Sequence, residues 1–185
     1  MTWTVDASGT KTATVPSTCT FTNSSSSIGV TNTCAAGDMV VFTTTSALPT
    51  NFTVGTTYFV IATGLSSSNI EVAATPGGTA ISAGSAGTGT QTGTFEHVLD
   101  IASTNATYVF AVDTVNMVNV DLTTFRIYDE LDTTNQRQAW KGTYQNVQIN
   151  LAKESPPIAI SAGAQFTIQQ LAGTGRAYPW VVRRI

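Results

Sequence analysis

Short apolar runs separated by turn residues recur along the whole chain and predict strands rather than helices. The segments 2–5 and 12–15 alternate threonine with an apolar residue, which gives a strand one apolar and one hydroxyl-bearing face. Ser8-Gly9 and Pro16 are read as breaks between strands. The first half is predicted to form strands at Trp3–Val5, Thr12–Val15, Cys19–Thr22, Met39–Phe42, Tyr58–Ile61 and Ile70–Ala73.

The second half continues the same pattern, with turn signals at roughly 8 to 12 residue intervals, as in antiparallel sandwiches. We therefore predict an all-β fold of sandwich or barrel-like modules, arranged as two small β domains with little or no helix. Strands are predicted here at Phe95–Leu99, Thr107–Asp113, Thr123–Tyr128, Gln138–Val147, Ile158–Ile160, Gln165–Leu171 and Pro179–Arg184.

Charge divides the chain into two segments. Residues 1–95 carry four charged side chains, whereas the remaining ninety carry fifteen. We place a domain boundary near Thr94, between a Thr/Ser/Gly-rich module at 1–94 and a sandwich-like domain at 95–185. Residues 79–94 are almost entirely Gly, Ala, Ser and Thr, which suits either a flexible linker or an extended arm ending in a strand.

Net charge and the length of the apolar runs argue against two classes of partner, nucleic acids and membranes. The net charge is −3 and no basic block is present, so a general nucleic-acid binder is not expected. No stretch resembles a signal peptide, and no run of apolar residues is long enough to cross a membrane as a helix. We therefore expect synthesis in a cytoplasm and no membrane partner.

The candidate chemical groups are few, and each has a structural interpretation that we favour. His97 is the single histidine and is predicted to lie on the surface or in a loop. Asp129, Glu130 and Asp132 are predicted to form a solvated hairpin tip, with a Ca²⁺ loop as the alternative. The glycines of 84–89 and 173–175 are read as turns, because no helical pattern follows them as a phosphate cradle requires.

The two cysteines, Cys19 and Cys34, allow either reduced thiols or a disulfide, and we favour the thiols. They lack the CxxC spacing and the neighbouring histidine of a zinc site. With no catalytic set recognised in the sequence, we predict no enzyme activity, no cofactor and no metal.

A run of motifs between residues 37 and 94 resembles a β module that recurs in virion proteins of tailed bacteriophages. The family pattern is Gly-Asp, apolar strand, Thr tract, Leu-Pro, Gly-Thr, an aromatic strand, Pro-Gly-Gly and a Gly-Thr tail. The matching positions are Gly37-Asp38, Met39–Phe42, Thr43–Thr45, Leu48-Pro49, Gly55-Thr56, Tyr58-Phe59, Pro76–Gly78 and Gly87–Thr90.

The second segment is similar to the end of small β-rich virion proteins of phages. One position departs from the pattern, since Val120 precedes Asp121 where a Gly-Asp turn is expected, and this puts the turn geometry in question. The matching positions are Val112-Asp113, Asn116–Val118, Phe125–Tyr128, Ser155–Pro157, Gly173–Arg176 and Trp180.

Together these resemblances imply a capsid decoration or cement protein on the outer surface of a virion, with the major capsid protein and, in a homotrimer, its own copies as partners. The alternative is a tail, neck or baseplate component, or a glycan-binding module that uses Trp3, Tyr58, Trp140 or Tyr144.

The shell contact is predicted to involve the charged second segment and its terminal strand, because aromatic and arginine side chains are frequent interface anchors. The same terminal pattern also suits a last core strand. The predicted contact residues are Trp180, Val182, Arg183, Arg184, Ile185, Arg126 and Arg137.

Overall fold

The computed structural model describes residues 2–132 and 135–185, and the described residues form strands, turns and loops without a helix. The predicted all-β fold class is confirmed. The strands are β1 Thr4–Thr12, β2 Ser17–Phe21, β3 Ile28–Gly29, β4 Met39–Thr44, β5 Thr57–Ile61, β6 Asn69–Ala73, β7 Gln91–Ile101, β8 Ala106–Asp113, β9 Leu122–Asp132, β10 Asn135–Gln145, β11 Ala152–Glu154, β12 Ile158–Ile160, β13 Gln165–Ala172 and β14 Ala177–Arg184.

The chain forms two compact units. Residues 14–97 form one, here called the barrel unit, and residues 2–13 with 98–185 form the other, the sandwich unit. The sequence placed a single boundary near Thr94, close to the end of the barrel unit. The first residues belong with the second segment because β1 pairs along its length with β14, and side-chain patterning gives no sign of so distant a partner.

Six antiparallel strands close the barrel unit. β2, β3, β6, β5 and β4 pair in that order, and β7 pairs with both β4 and β2, so no edge is left open in this ring. The interior is filled by aromatic rings, with the Phe21 ring centroid 5.3 Å from that of Phe42 and 5.0 Å from that of Phe52. Edge-to-face geometry of this kind adds to the stability gained by burying the rings.

Residues 79–90 are neither a free linker nor an arm. Ala83 is buried, its amide donates to the Ser25 carbonyl, and its own carbonyl accepts from the Ser24 amide. Further along, Thr88 forms an isolated bridge with Ala47. Small residues suit this path because the segment lies directly against the strands and loops of the barrel unit.

The sandwich unit packs two antiparallel sheets face to face. One has the order β1-β14-β8-β11, with β12 also paired to β8, and the other contains β10, β9 and β13. Rings from both sheets meet in the core, where the Phe110 centroid lies 5.7 Å from Phe166 and the Phe125 centroid 6.0 Å from Tyr178. Phe166 and Ile168 alternate with Thr167 and Gln169 in the sequence, a pattern that favours both as core residues, and both are fully buried.

One predicted break is wrong. β1 continues through Ser8-Gly9 and ends at Thr12, where a second strand, Thr12–Val15, was predicted to begin. Gly9 marks a close approach rather than a turn, since a β-carbon there would lie 3.2 Å from the indole of Trp180 on β14, a tight contact. Within the described residues, no helix is long and apolar enough to span a bilayer.

Candidate functional site

Three chemically active side chains come together in the barrel unit. The ligand atoms of Cys34, in the connection between β3 and β4, Asp38, just before β4, and His97, on β7, all lie within 4.8 Å of one another. Asp38 and His97 are fully buried, and Cys34 is half-buried. The prediction that His97 lies on the surface or in a loop is therefore wrong.

The hydrogen bonds of His97 fix its tautomer. Its Nε2 accepts from the Thr14 backbone amide at 2.8 Å, so the lone pair lies on Nε2 and the proton on Nδ1. Nδ1 then donates to Asp38 Oδ2 at 2.6 Å, and the same carboxylate oxygen accepts from the Ala35 amide at 2.9 Å. The imidazole thus joins the first residue of the barrel unit to the turn that opens β4.

This arrangement does not suit a metal ion. A metal-bound histidine turns its second ring nitrogen, as an N–H donor, toward a carboxylate, carbonyl or water. Binding through Nδ1 would place an Nε2–H against the Thr14 N–H, so two donors would face each other. Binding through Nε2 would break the Thr14 bond. The cluster is better described as a structural hydrogen-bond network.

The same bonds argue against thiol catalysis by Cys34. A catalytic cysteine passes its proton to an imidazole nitrogen with an available lone pair. In His97 that lone pair already accepts from Thr14. The cluster therefore lacks the base that a Cys-His pair requires.

The other cysteine is deeply buried and is not joined to Cys34, as favoured from the sequence. Burial raises the pKa of the Cys19 thiol to about 12, opposed in part by a backbone hydrogen bond from Gly93. Cys19 is therefore a small apolar core residue in the folded chain.

The predicted terminal contact residues occupy different environments. Val182 is fully buried in the sandwich core, so it is withdrawn from the predicted interface. Trp180 is half-buried and Ile185 is exposed. Arg183 pairs with Glu154 at 3.3 Å and Arg184 with Asp6 at 2.9 Å, and both arginines are partly accessible at the sheet surface.

The remaining predicted contacts and acidic residues lie on β9 and β10. Arg126 is half-buried and donates to Gln169 Oε1 at 2.9 Å, whereas Arg137 is exposed. Asp129 is buried rather than solvated, and its Oδ1 accepts a hydrogen bond from the Ser161 amide at 2.9 Å. The side chains of Glu130 and Asp132 lie outside the described part of the chain, so the acidic tip remains a prediction.

The candidate glycan-binding aromatics are mostly used in packing. Tyr58 is buried in the barrel, Trp140 packs edge-on to Phe110, and Tyr144 packs on Phe125. Trp3 remains exposed and lines a surface cavity of about 420 Å³. The other lining residues are Val109, Glu154, Ser155, Pro157 and Arg183.

A buried carboxylate, Asp121, which the sequence indicated only as part of a turn, organises one end of the sandwich unit. Asp121 Oδ2 accepts from Arg176 Nε at 3.1 Å and from the Val118 amide at 2.8 Å. Gly173 has φ +90°, and a β-carbon there would collide with Asp121 Oδ1. The Gly173–Arg176 motif therefore supports this carboxylate and holds the loop at 114–121.

The same loop and its neighbour display a patch that periodicity did not reveal. The Asn146 amide donates to the Asp121 carbonyl, and the Thr114 amide donates to the Leu151 carbonyl, so loops 114–121 and 146–151 are adjacent. We call their exposed aliphatic residues the apolar loop patch. Its members and exposed fractions are Val115 51%, Val118 40%, Val120 69%, Val147 59%, Ile149 98% and Leu151 42%.

Comparisons with family models, with curated proteins and with solved structures found no match to this chain. Function is therefore inferred from the residues and their arrangement.

Proposed function

We propose that this chain is a structural protein of a bacteriophage virion, a decoration or cement protein that stabilises an assembled shell by binding across its subunit junctions. The main support is the nearly uncharged surface of the barrel unit. Residues 14–97 contain no Lys or Arg, and their three carboxylates are Asp38 and Glu96, which are buried, and Glu71, which is half-buried.

Such a surface is unusual for a protein that diffuses freely. Interspersed surface charge keeps soluble domains apart, whereas the barrel unit presents mainly threonine, serine and glycine. A module held at fixed positions in an assembly is relieved of that requirement, because the assembly and not its own charge sets its spacing. The motif resemblances at 37–94 and 112–180 support the same class.

The proposed mechanism is stabilisation by binding. A protein that binds the assembled shell but not its free subunits raises the stability of the shell by mass action. The sandwich unit supplies the contact in this proposal, through charged, aromatic and aliphatic side chains that are at least partly accessible. These are Trp180, Arg183, Arg184, Ile185, Arg126 and Arg137.

Co-sedimentation with empty, expanded phage shells tests the proposal. We expect wild-type protein to sediment with shells saturably and to raise their melting temperature. Arg137→Glu reverses an exposed charge on β10 and should weaken binding. Lys141→Glu, an exposed charge reversal on the same strand, is the matched control. No sedimentation with shells, together with binding to tail assemblies, would favour the tail, neck or baseplate alternative.

A glycan-binding function is the second candidate, and the cavity at Trp3 favours it. An exposed indole next to the hydrogen-bonding groups of Glu154, Ser155 and Arg183 offers the stacking face and polar partners that a sugar ring uses. A glycan array with wild-type and Trp3→Ala protein tests this alternative. Binding lost in the variant would support glycan recognition over shell decoration.

A further inference from the structure

We propose that the apolar loop patch binds a second copy of this chain, so that the protein self-associates through loops 114–121 and 146–151. This inference goes beyond the proposed function, because it concerns contacts between copies whether or not a shell is bound. It depends on four properties of the patch: its area, its lack of charge, its amide rim and its rigid support.

The area is close to what a stable contact needs. The exposed fractions of the six aliphatic residues correspond to on the order of 600 Å² of accessible surface, main-chain atoms included, which lies within the range of the largest apolar patches on typical monomers. A standard interface buries about 800 Å² on each partner. The patch and a narrow rim around it reach that value.

The charge distribution favours an identical partner. Residues 114–120 and 146–151 contain no ionisable side chain, although the chain as a whole carries a net charge of −3. When two copies meet about a symmetry axis, every charge near the axis faces its own equivalent and repels it. The apolar loop patch avoids this repulsion.

The polar residues of the two loops are also self-complementary. An amide side chain carries both a donor and an acceptor, so it can pair with an identical amide, whereas a carboxylate or an ammonium group cannot. A polar rim around an apolar centre is the usual anatomy of an interface. The amides on these loops are Asn116, Asn119, Asn146, Gln148 and Asn150. Asn116 already donates to the Ala177 carbonyl, Asn146 Oδ1 accepts from the Val120 amide and Gln148 donates to the Gln145 carbonyl. The exposed Asn119 and Asn150 are therefore the amides proposed to pair across the contact.

The patch is held rigidly, and one of its residues is strained. Asp121, bonded to Arg176 and to the Val118 amide, fixes loop 114–121 from below. Val120 adopts φ +78°, a left-handed conformation that is unfavourable for a β-branched residue. Its side chain is mostly exposed and contributes little to the core, so an apolar residue here is explained by a contact outside its own fold.

Sedimentation equilibrium under reducing conditions tests the proposal with matched variants. We expect wild-type protein to form a dimer or a higher symmetric oligomer. Ile149→Asp should weaken association at least tenfold, because each copy would bury a carboxylate opposite its equivalent. Ile149 is 98% exposed, so the monomer fold is preserved, and circular dichroism verifies this. Val54→Asp, at a 56% exposed valine of the barrel unit, is the control and should associate like wild type.

Three results would overturn the inference: a monomeric wild type at high micromolar concentration, an oligomer unaffected by Ile149→Asp, or equal dissociation by Val54→Asp. The shell assay gives a separate answer. A protein that self-associates through the patch and does not bind shells keeps this inference and overturns the proposed function. A shell-binding wild type that is monomeric in solution does the reverse.

Discussion

Replacing Val120 with glycine should stabilise the sandwich unit or leave it unchanged, although most substitutions destabilise a protein. Val120 has φ +78° and is 69% exposed. The left-handed conformation costs a residue with a β-carbon about 1–2 kcal/mol, and a β-branched side chain lies at the upper end of this range. Glycine removes that cost entirely.

Two smaller terms oppose the gain. Glycine increases the conformational entropy of the unfolded chain, which lowers the free energy of unfolding by about 0.5–1 kcal/mol. Loss of the buried third of the valine side chain removes about 0.5 kcal/mol more. With the strain near its upper value of about 2 kcal/mol, the free energy of unfolding should rise by about 0.5–1 kcal/mol.

Val118→Gly is the matched control on the same loop. Val118 does not have a positive φ, so the substitution relieves no strain. Val118 is also more buried than Val120, with 40% of its surface exposed. It should lower the free energy of unfolding by about 1.5–2 kcal/mol. The two glycine variants should thus differ by about 2–3 kcal/mol.

Urea unfolding followed by tryptophan fluorescence measures this difference. Trp3, Trp140 and Trp180 are the three tryptophans of the chain and all lie in the sandwich unit, so the signal reports on that unit alone. The comparison uses midpoints at an unchanged denaturant slope. A Val120→Gly variant that loses as much stability as Val118→Gly would show that no backbone strain is stored at this turn.

Three further predictions concern titration, thiol access and a tight turn. Burial raises the pKa of Asp100, and repulsion from the Asp6 carboxylate adds to this rise, although a backbone hydrogen bond from Ile101 opposes it. The stability linked to this group is therefore present at low pH and is lost as pH rises through its folded-state pKa. Asp100→Asn should therefore unfold at higher urea than wild type at pH 7 and at equal urea near pH 3, and an advantage that persists at low pH would contradict this. In a Cys34→Ser variant, Cys19 should not react with a thiol-specific disulfide reagent until the barrel unit unfolds, and rapid labelling of the folded protein would disagree with its burial and raised pKa. Gly173→Ala should lower the free energy of unfolding by about 3 kcal/mol or more, because it adds a collision with a buried carboxylate to the left-handed penalty. Gly77→Ala, with open space around its β-carbon, should lower it by only about 1 kcal/mol. Thermal unfolding measures both, and equal losses would argue against the collision.

The strands were predictable wherever alternation is strong and local. Ile158–Ile160 matches β12 at both ends, and the core positions Phe166 and Ile168 follow from period-two alternation. The break assigned at Gly9 was wrong, because a glycine that admits a nearby indole cannot be distinguished in the sequence from a glycine that turns the chain.

The sites were harder to predict, because they depend on residues that are distant in sequence. His97 receives its partners from Thr14 and Asp38, and nothing within its own strand indicates either of them. The apolar loop patch joins two loops that are separated by a β-hairpin, so windowed periodicity treats each as an ordinary connection. The departure from Gly-Asp at Val120 was the one local sign, and the positive φ of that residue gives it a physical meaning.

The pairing of β1 with β14 also determines the order in which the chain is able to fold. The barrel unit is one continuous segment, so it can close as soon as residue 97 has left the ribosome, whereas β1 must wait for a partner at 177–184. Contacts this distant in sequence form slowly, since a long loop must be ordered before they contribute any stability. During synthesis β1 remains an unpaired strand, and a cell that makes this protein quickly exposes many such strands to one another.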